Sequence, residues 1–242
     1  DHWKRYFCNA RMQVSIAGAV DPAMVADWLE GEFDGFNDGS TGASAVSERP
    51  SFTLNFSPTH SHFPKELEQE QIAICFPGVG VVDDDHSVQR IIIGVLSGGM
   101  GARLFTEVRE KQGLVYWVGA WRDQPRKGGM IHLGASTTPQ NIDKTYTSLL
   151  REIDRLSEDV SENEIERAVA GIVTRVLTRG DVTRAKAAEL ANDLFYYGHP
   201  VSREEELEKV RSVRVSDVRQ FLDNHPRDKL SVVALGPVEL RV

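Results

Sequence analysis

The segment from Gly98 to Tyr116 constrains the fold more than any other part of the chain. It opens on Gly98-Gly99-Met100-Gly101, whose glycines allow one helix to end and the next to begin within a few residues. A short run of charged and apolar residues follows, and Gly113 stands where a helix C-cap belongs. Apolar and aromatic residues then continue as a strand. The segment therefore predicts a helix end, a short second helix, a glycine cap and a strand in immediate succession.

Two polar side chains in this segment form a candidate functional pair. Arg109 lies near the end of the short helix, and Tyr116 follows in the strand. A guanidinium and a phenol brought together in this way can both donate to one oxygen, and such a pair can hold a peptide carbonyl or stabilise the charge that it gains when attacked. The alternative is a helix, cap and strand without any chemistry, because many helices end at glycine.

The same segment resembles the signature of the second lobe of pitrilysin-like zinc peptidases, the family of insulin-degrading enzyme and the mitochondrial processing peptidase. The family's usual form is Leu-Gly-Gly-Gly-Met-Ser-Ser-Arg-Leu-Phe-x-Glu-Val-Arg-Glu-Lys-x-Gly-Leu-Ala-Tyr. This chain departs from it at Ser97, Gly101, Ala102 and Val115, and keeps the arginine and the tyrosine. The resemblance extends to residues 70–78, 18–22 and 161–222, and so covers nearly the whole chain.

The resemblance implies an α+β fold, with a mostly antiparallel β-sheet flanked by helices. It further implies that this chain is the C-terminal, non-zinc lobe of a zinc endopeptidase, which binds extended peptides. By resemblance, Arg109 and Tyr116 are the catalytic contacts to the scissile carbonyl and its oxyanion, and Gly98 and Gly99 join them in binding substrate. The partner is then a zinc-binding lobe, in the same protein or in a separate subunit.

A second interpretation of the same resemblance is a non-proteolytic structural or assembly subunit. The family includes relatives that kept the fold and lost proteolysis, such as core subunits of respiratory complexes. A purely structural relative has no need of the arginine and tyrosine pair, which is intact here. The pair therefore favours the substrate-binding lobe.

The histidines indicate no zinc site in this chain. The family's metal motif is His-x-x-Glu-His on a helix, where two imidazoles four residues apart face one metal and the glutamate activates water. None of the seven histidines forms it: His2, His60, His62, His86, His132, His199 and His225. His60 and His62 could share one side of a strand, but they lie between two prolines without an acidic third ligand, which favours a surface loop. We expect no metal or other cofactor here, zinc only in the partner lobe, and no peptidase activity from the chain alone.

Composition narrows the possible partners. The chain has 242 residues, of which 36 are acidic and 28 basic, for a net charge of −8. An acidic chain of this kind is not expected to bind nucleic acid, which requires a basic face. No apolar run has the length of a membrane span. The sequence begins at Asp1, which we interpret as a fragment or a processed product, so that the compartment is unknown. The resemblance allows a bacterial periplasm or an organelle matrix.

Periodicity and punctuation predict the order of elements. We expect strands at 11–17, 51–56, 67–76, 115–121, 130–136 and 229–235, the fourth and fifth forming a hairpin around 123–128. We expect helices from Asp21-Pro22 onward, from Asp83–Asp85 to Gly98, and over 141–156, 161–178, 183–197, 202–211 and 216–224. Ser161 with Glu164, and Ser202 with Glu205, have the spacing of a capping box.

The chain is expected to hold two pieces. Residues 1–48 would be a strand-helix tail of a preceding lobe plus a linker, and residues 49–242 the C-terminal pitrilysin-family lobe. Val14–Val20 and Val232–Val238 are similar, since both place an apolar run before a glycine. Each lobe of the resembled family ends on such a strand, and by that resemblance the similarity favours this division. By the resemblance, the strand and the apolar helix face of this tail would lack the lobe that covers them. We therefore expect self-association through residues 11–33, by strand addition or exchange, or else disorder of that segment.

Three further features have plain explanations. The glycines at 98–101 lack the Lys-Ser/Thr that a phosphate-binding loop requires. Asp83-Asp84-Asp85 caps the following helix more plausibly than it binds a cation. Cys75 is expected to be a small buried hydrophobe, with a disulfide to Cys8 as the open alternative.

Overall fold

The computed structural model describes residues 12–36, 55–225 and 229–241. These residues fall into two compact units. The larger one comprises residues 53–176 and 202–242, and the smaller one comprises residues up to 52 together with 177–201. Each unit is described by itself.

A five-stranded mixed sheet forms the centre of the larger unit. Its strands are β1 (His60–Pro64), β2 (Glu70–Gly78), β3 (Val115–Arg122), β4 (Gly129–Thr137) and β5 (Ser231–Gly236). They lie side by side in the order β1-β5-β2-β4-β3. The β1–β5 pair is parallel, and the other three pairs are antiparallel. The expected α+β fold with a mostly antiparallel sheet is therefore confirmed.

One face of the sheet carries the core. Ile72, Ile74 and Phe76 alternate along β2 and are buried, and Ile131 and Leu133 continue this face on β4. Apolar residues at every second position of a strand are what a sheet with one covered face requires. The expected hairpin of β3 and β4 is present. Of the strand expected at 51–56, only Asn55 and Phe56 are described, and neither lies in a strand. Residues 51–54 lie outside the described chain, so the rest of that strand stays a prediction.

Helical segments pack around this core. They are α2 (His86–Ser97), a π-helix (Leu104–Lys111), a 3₁₀ turn (Pro139–Asn141), α3 (Ile142–Asp159), α4 (Glu162–Arg179), α6 (Arg203–Arg211) and α7 (Val215–Asn224). The Ile91–Ile93 run is helical despite its β-branched residues, because Ile91, Ile92, Val95 and Leu96 bury one helix face. None of the described helices has both the length and the apolarity to cross a bilayer.

The aspartate cap expected for α2 is wrong, whereas the Ser161–Glu164 capping box expected at the start of α4 is confirmed. Asp85 is the N-cap residue of α2 but its side chain accepts no capping bond. Asp83 Oδ2 instead accepts from the N–H groups of Gly80 and Gly128, at 2.6 and 3.1 Å, so its carboxylate holds the β3–β4 turn. At α4, the Ser161 N–H donates to Glu164 Oε2 at 2.9 Å, and the Glu164 N–H donates back to Ser161 Oγ.

The smaller unit combines the N-terminal described segment with α5 (Thr183–Tyr197). Asp21 Oδ1 caps α1 (Pro22–Glu32) by accepting from the Ala23 N–H at 2.9 Å, as expected. The strand expected at 11–17 is wrong for residues 12–17, which pair with no strand in the described chain. Gln13 and Ser15 instead donate side-chain hydrogen bonds to the carbonyls of Ala191 and Ala187 in α5. Arg11 and the linker with the proposed boundary at 48/49 lie outside the described residues, so that boundary stays a prediction.

Candidate functional site

A π-helix positions Arg109. Leu104 and Val108, four residues apart, are fully buried and fix one side of this helix against the core. Phe105 and Arg109, also four apart, lie on another side, and the Arg109 Cζ is 5.1 Å from the centre of the Phe105 ring. A π-helix of this length is rare, and such helices are frequent at functional sites. The sequence predicted a short helix but not its type.

Gly113 connects this helix to β3. Its φ of +60° is the left-handed conformation that glycine adopts without strain. The Gly113 N–H donates to the Arg109 carbonyl at 3.1 Å, and the Leu114 N–H donates to the Val108 carbonyl at 3.2 Å. These bonds occupy carbonyls at the end of the helix, as a glycine C-cap does. The expected cap is therefore present.

A β-bulge positions Tyr116. Val115 lies opposite Thr137 and Trp117 lies opposite Ser136, so Tyr116 is an extra residue with no partner on β4. A bulge turns a side chain out of the regular alternation of a strand. Tyr116 is accordingly 74 % exposed, while Val115 before it and Val118 after it pack against the core. This spacing of three between inward valines is the one signal in the sequence that could have indicated the bulge.

The π-helix and the β-bulge bring Arg109 and Tyr116 together. The Arg109 Cζ lies 5.8 Å from the centre of the Tyr116 ring, within the range of a cation–π contact. Within the described residues, the Arg109 guanidinium forms no ion pair, and the Tyr116 hydroxyl has no hydrogen-bond partner. Both groups therefore present unused donors to solvent, side by side.

Gly98 and Gly99, the other expected substrate-binding residues, line a cavity of about 290 Å³. Gly98 ends α2, and its N–H donates to the Gly94 carbonyl at 2.8 Å. A Cβ at Gly98 would collide with that same carbonyl oxygen, which explains the glycine by packing alone. Gly99 has a φ of +143° and faces open space. Neither Arg109 nor Tyr116 lines this cavity.

Arg103 anchors the start of the π-helix, a role that its place in the sequence motif does not indicate. Its side chain is only 7 % exposed and forms two bonds to Glu164, from Nε to Oε1 at 2.6 Å and from Nη2 to Oε2 at 2.8 Å. Its Nη1 lies 2.7 Å from Asp159 Oδ1. Burial disfavours ionised Glu164, but the bonds from Arg103 and Ser161 outweigh it and lower the pKa of Glu164 to about 2. The paired charges fasten the π-helix to the α3–α4 corner.

The described histidines do not form a metal site. No group of three His, Cys, Asp or Glu residues in the described parts of the chain could hold a metal ion. His62 Nε2 lies 2.9 Å from the Gly236 carbonyl. His86 Nε2 lies 2.8 Å from Arg122 Nη1, so it accepts, because a guanidinium has only donors. Burial, and then Arg122, lower the pKa of His86 to about 3. The zinc that the family uses does not fit these residues.

Cys75 is a free thiol, half-buried in β2, and burial raises its pKa. Cys8, its open disulfide alternative, lies outside the described residues. His132 stands opposite Cys75 on β4, stacks on Trp121 and approaches Asp123 to 3.1 Å. A thiol with a raised pKa is a poor nucleophile, so this row has the character of packing rather than of catalysis.

Comparisons with known proteins agree with this architecture. A zinc protease of Rickettsia bellii, itself uncharacterised, is 28 % identical over 242 residues, which cover 98 % of this chain and 56 % of that protein. A probable mitochondrial-processing peptidase subunit beta of Arabidopsis thaliana is 22 % identical over 98 % of this chain and 46 % of its own length. The crystal structure of a protease from Helicobacter pylori superposes with a TM-score of 0.81 at 13 % identity, over 91 % of this chain and 54 % of that one.

The chain thus spans about half the length of the curated relatives that it matches. The family model described as the peptidase M16 inactive domain matches residues 1–172. This agrees with the pitrilysin-like resemblance of the central segment and with the fold. The chain belongs to the M16 peptidase family, as its inactive, non-zinc C-terminal domain.

Proposed function

We propose that this chain is the substrate-binding lobe of a zinc endopeptidase and that it holds the backbone of an extended peptide. The observation that carries the proposal is the Arg109–Tyr116 pair, whose adjacent donors have no partner within the described chain. Side chains that are placed by a π-helix and a bulge, yet bond to nothing in their own fold, are suited to a ligand. A peptide carbonyl oxygen accepts from both.

The chemistry divides between two lobes. A zinc-binding lobe, in the same protein or in a partner subunit, supplies the activated water. Arg109 and Tyr116 donate to the scissile carbonyl oxygen and keep their bonds as it becomes an oxyanion. The guanidinium carries the charge that offsets the developing negative charge. Peptide substrates are therefore recognised mainly through their backbone.

The surroundings of Arg109 make it a preorganised donor. Its guanidinium is flanked by the Phe105 and Tyr116 rings, which restrict its rotamers. The π-helix that carries it is capped at Gly113 and anchored at Arg103. A donor that is already in place costs little reorganisation when charge develops.

Turnover by the assembled two-lobe protease tests this proposal. Arg109→Ala and Tyr116→Phe should each lower kcat by roughly a hundredfold, the usual effect of removing one oxyanion donor, about 3 kcal/mol. Lys111→Ala is the matched control, because Lys111 is an exposed cation on the same π-helix, and among the described residues it pairs with Glu107 alone. Its turnover should stay at the wild-type level.

The non-proteolytic structural or assembly subunit is the competing function. A structural subunit needs no role for the unpaired donors. This function therefore predicts that the Arg109→Ala and Tyr116→Phe variants both leave the turnover of any associated zinc protease at the wild-type level. That result would overturn the proposed role of the pair. A hundredfold loss with unchanged unfolding midpoints would exclude the competing function.

A further inference from the structure

The cavity beside Gly98 and Gly99 has features that the backbone-holding role does not use. It lies between the end of α2, the loop 98–102 and one face of α4. Its walls include Glu164, Arg167, Gly171 and Arg175 from α4. Arg167, Gly171 and Arg175 follow one another at intervals of four residues and so share one face of the helix. We propose that this cavity binds a carboxylate of the peptide substrate, an inference that rests on the proposed peptide-binding function.

The Arg167 guanidinium is available to a ligand. It forms no hydrogen bond or ion pair with any described residue, and its Nη1 lies 3.7 Å from the position that a Cβ on Gly101 would take. Glu164, one turn before it, is the acidic group that could have neutralised it. That carboxylate is occupied by the two bonds from Arg103 and those from Ser161. The cavity therefore keeps a positive charge at its wall.

The loop adds backbone donors to this charge. Gly99, Met100 and Gly101 all line the cavity. Their N–H groups donate to no acceptor in the described chain, whereas the next N–H, that of Ala102, returns to the Gly99 carbonyl at 3.0 Å. Successive free amides form an anion-binding concavity, and an arginine fork matches a carboxylate in shape and charge.

Gly171 indicates that the cavity is kept open. Glycine within a helix costs about 1 kcal/mol relative to alanine. Gly94 has a packing reason, since its Cβ would lie 2.8 Å from that of Ala168. A Cβ at Gly171 would meet no atom within 4 Å, so packing does not require glycine there. A larger side chain at this position would project into the space that a ligand needs.

Peptide binding to the full 242-residue chain tests the inference by fluorescence anisotropy at low salt. The probes are eight-residue alanine-serine peptides with an amidated C-terminus and a central Glu or Gln, and the Gln peptide with a free C-terminal carboxylate. We expect an acidic probe to bind roughly tenfold more tightly than the amidated Gln peptide. The probe that shows the preference identifies the source of the carboxylate, side chain or chain end.

Two variants test whether the preference for an acidic probe arises in this cavity. Arg167→Gln removes the charge, and Gly171→Leu fills the cavity with a good helix former. Each should abolish the tenfold preference and leave binding of the amidated Gln peptide unchanged. Arg211→Gln, which removes an exposed charge from α6, is the control for net charge and should retain the preference.

Equal affinity of the wild type for all three probes would overturn the carboxylate site. It would leave the backbone-holding role standing, because that role predicts binding of the amidated Gln peptide and depends on Arg109 and Tyr116. A preference that survives in both Arg167→Gln and Gly171→Leu would overturn the assignment to this cavity. Absence of binding by every probe would remove the proposed function together with the inference.

Discussion

At the scale of single residues, two arginines six positions apart have opposite tasks. Arg103 is buried and forms ion pairs with Glu164 and Asp159. Arg109 is exposed and bonds to nothing charged among the described residues. The sequence motif contains both arginines and does not indicate which of them has which role. Only the fold shows which one holds the scaffold, because the Arg103 partners lie more than 50 positions further along the chain.

Arg103→Met should lower the free energy of unfolding by about 3 kcal/mol, since removing one member of a buried ion pair leaves the other charge unpaired. Arg109→Ala should change it by less than about 0.5 kcal/mol, as exposed substitutions usually do. Urea unfolding of the two variants makes the comparison. Equal midpoints for both would show that the Arg103 ion pairs do not anchor the fold.

The Glu164 carboxylate should make stability depend on pH. Its pKa is about 2 in the folded chain, against an ordinary value of 4.5. A depressed pKa in the folded state means that its stabilisation is complete above pH 4.5 and is lost as the pH falls from 4.5 toward 2. The full loss is about 3 kcal/mol. Urea midpoints from pH 7 to 3 should therefore fall less steeply in Glu164→Gln than in the wild type, and parallel curves would contradict the assignment.

At the scale of elements, the sequence predicted the type and order of the helices and strands better than it predicted their detailed geometry. The helix expected over 183–197 has those bounds, and Gly198 ends it in the left-handed conformation, with its N–H donating to the Leu194 carbonyl. The π-helix and the bulge were not predicted, since both are shifts of hydrogen-bond register that leave residue type unchanged. Yet these shifts aim Arg109 and Tyr116 toward one another. The pair could be named from the motif, and the valine spacing around Tyr116 could have indicated the bulge, but no residue pattern indicated the π-helix that positions Arg109.

Substitutions at Gly113 test whether its left-handed conformation is needed to connect the π-helix to β3. Gly113→Ala should cost about 1 kcal/mol, because a Cβ is strained at a φ of +60°. Gly113→Asn should cost less, since asparagine tolerates the left-handed region. Urea unfolding gives both values, and turnover of the assembled protease should follow the same order. If alanine proved as stable as glycine, the left-handed cap would not be what connects the π-helix to β3.

At the scale of the whole molecule, the chain presents the unpaired donors of Arg109 and Tyr116, and its described residues form no metal site. Under the proposed function, this chain binds substrate and another lobe carries out hydrolysis. Its place in the M16 family as the inactive domain agrees with that division.

The chain alone should therefore show no peptidase activity. Zinc and a quenched unstructured peptide are the assay, and a two-lobe M16 protease is the positive control. Adding a zinc-binding lobe should produce turnover that a chelator removes. Chelator-sensitive cleavage that co-purifies with this chain alone would contradict the proposed division of labour.

Self-association should occur through the N-terminal segment of the smaller unit. None of the α1 residues is buried, and Met24 and Trp28 are 65 % and 58 % exposed. Val14, Ile16 and Val20 before this helix are exposed as well. Apolar side chains in such density favour burial against a second copy. Light scattering should show an oligomer for the full chain and a monomer after deletion of residues 1–48.

A milder pair of variants guards against unfolding caused by that deletion. Gln13 and Ser15 bond to α5, so removing the segment also removes contacts within the unit. Met24→Gln with Trp28→Ser keeps those bonds and removes only exposed apolar surface, and it should shift the full chain toward monomer. Leu177→Gln, at another exposed apolar position, is the control and should leave the oligomer intact. A wild-type chain that is monomeric at high concentration would show that this surface needs no second copy.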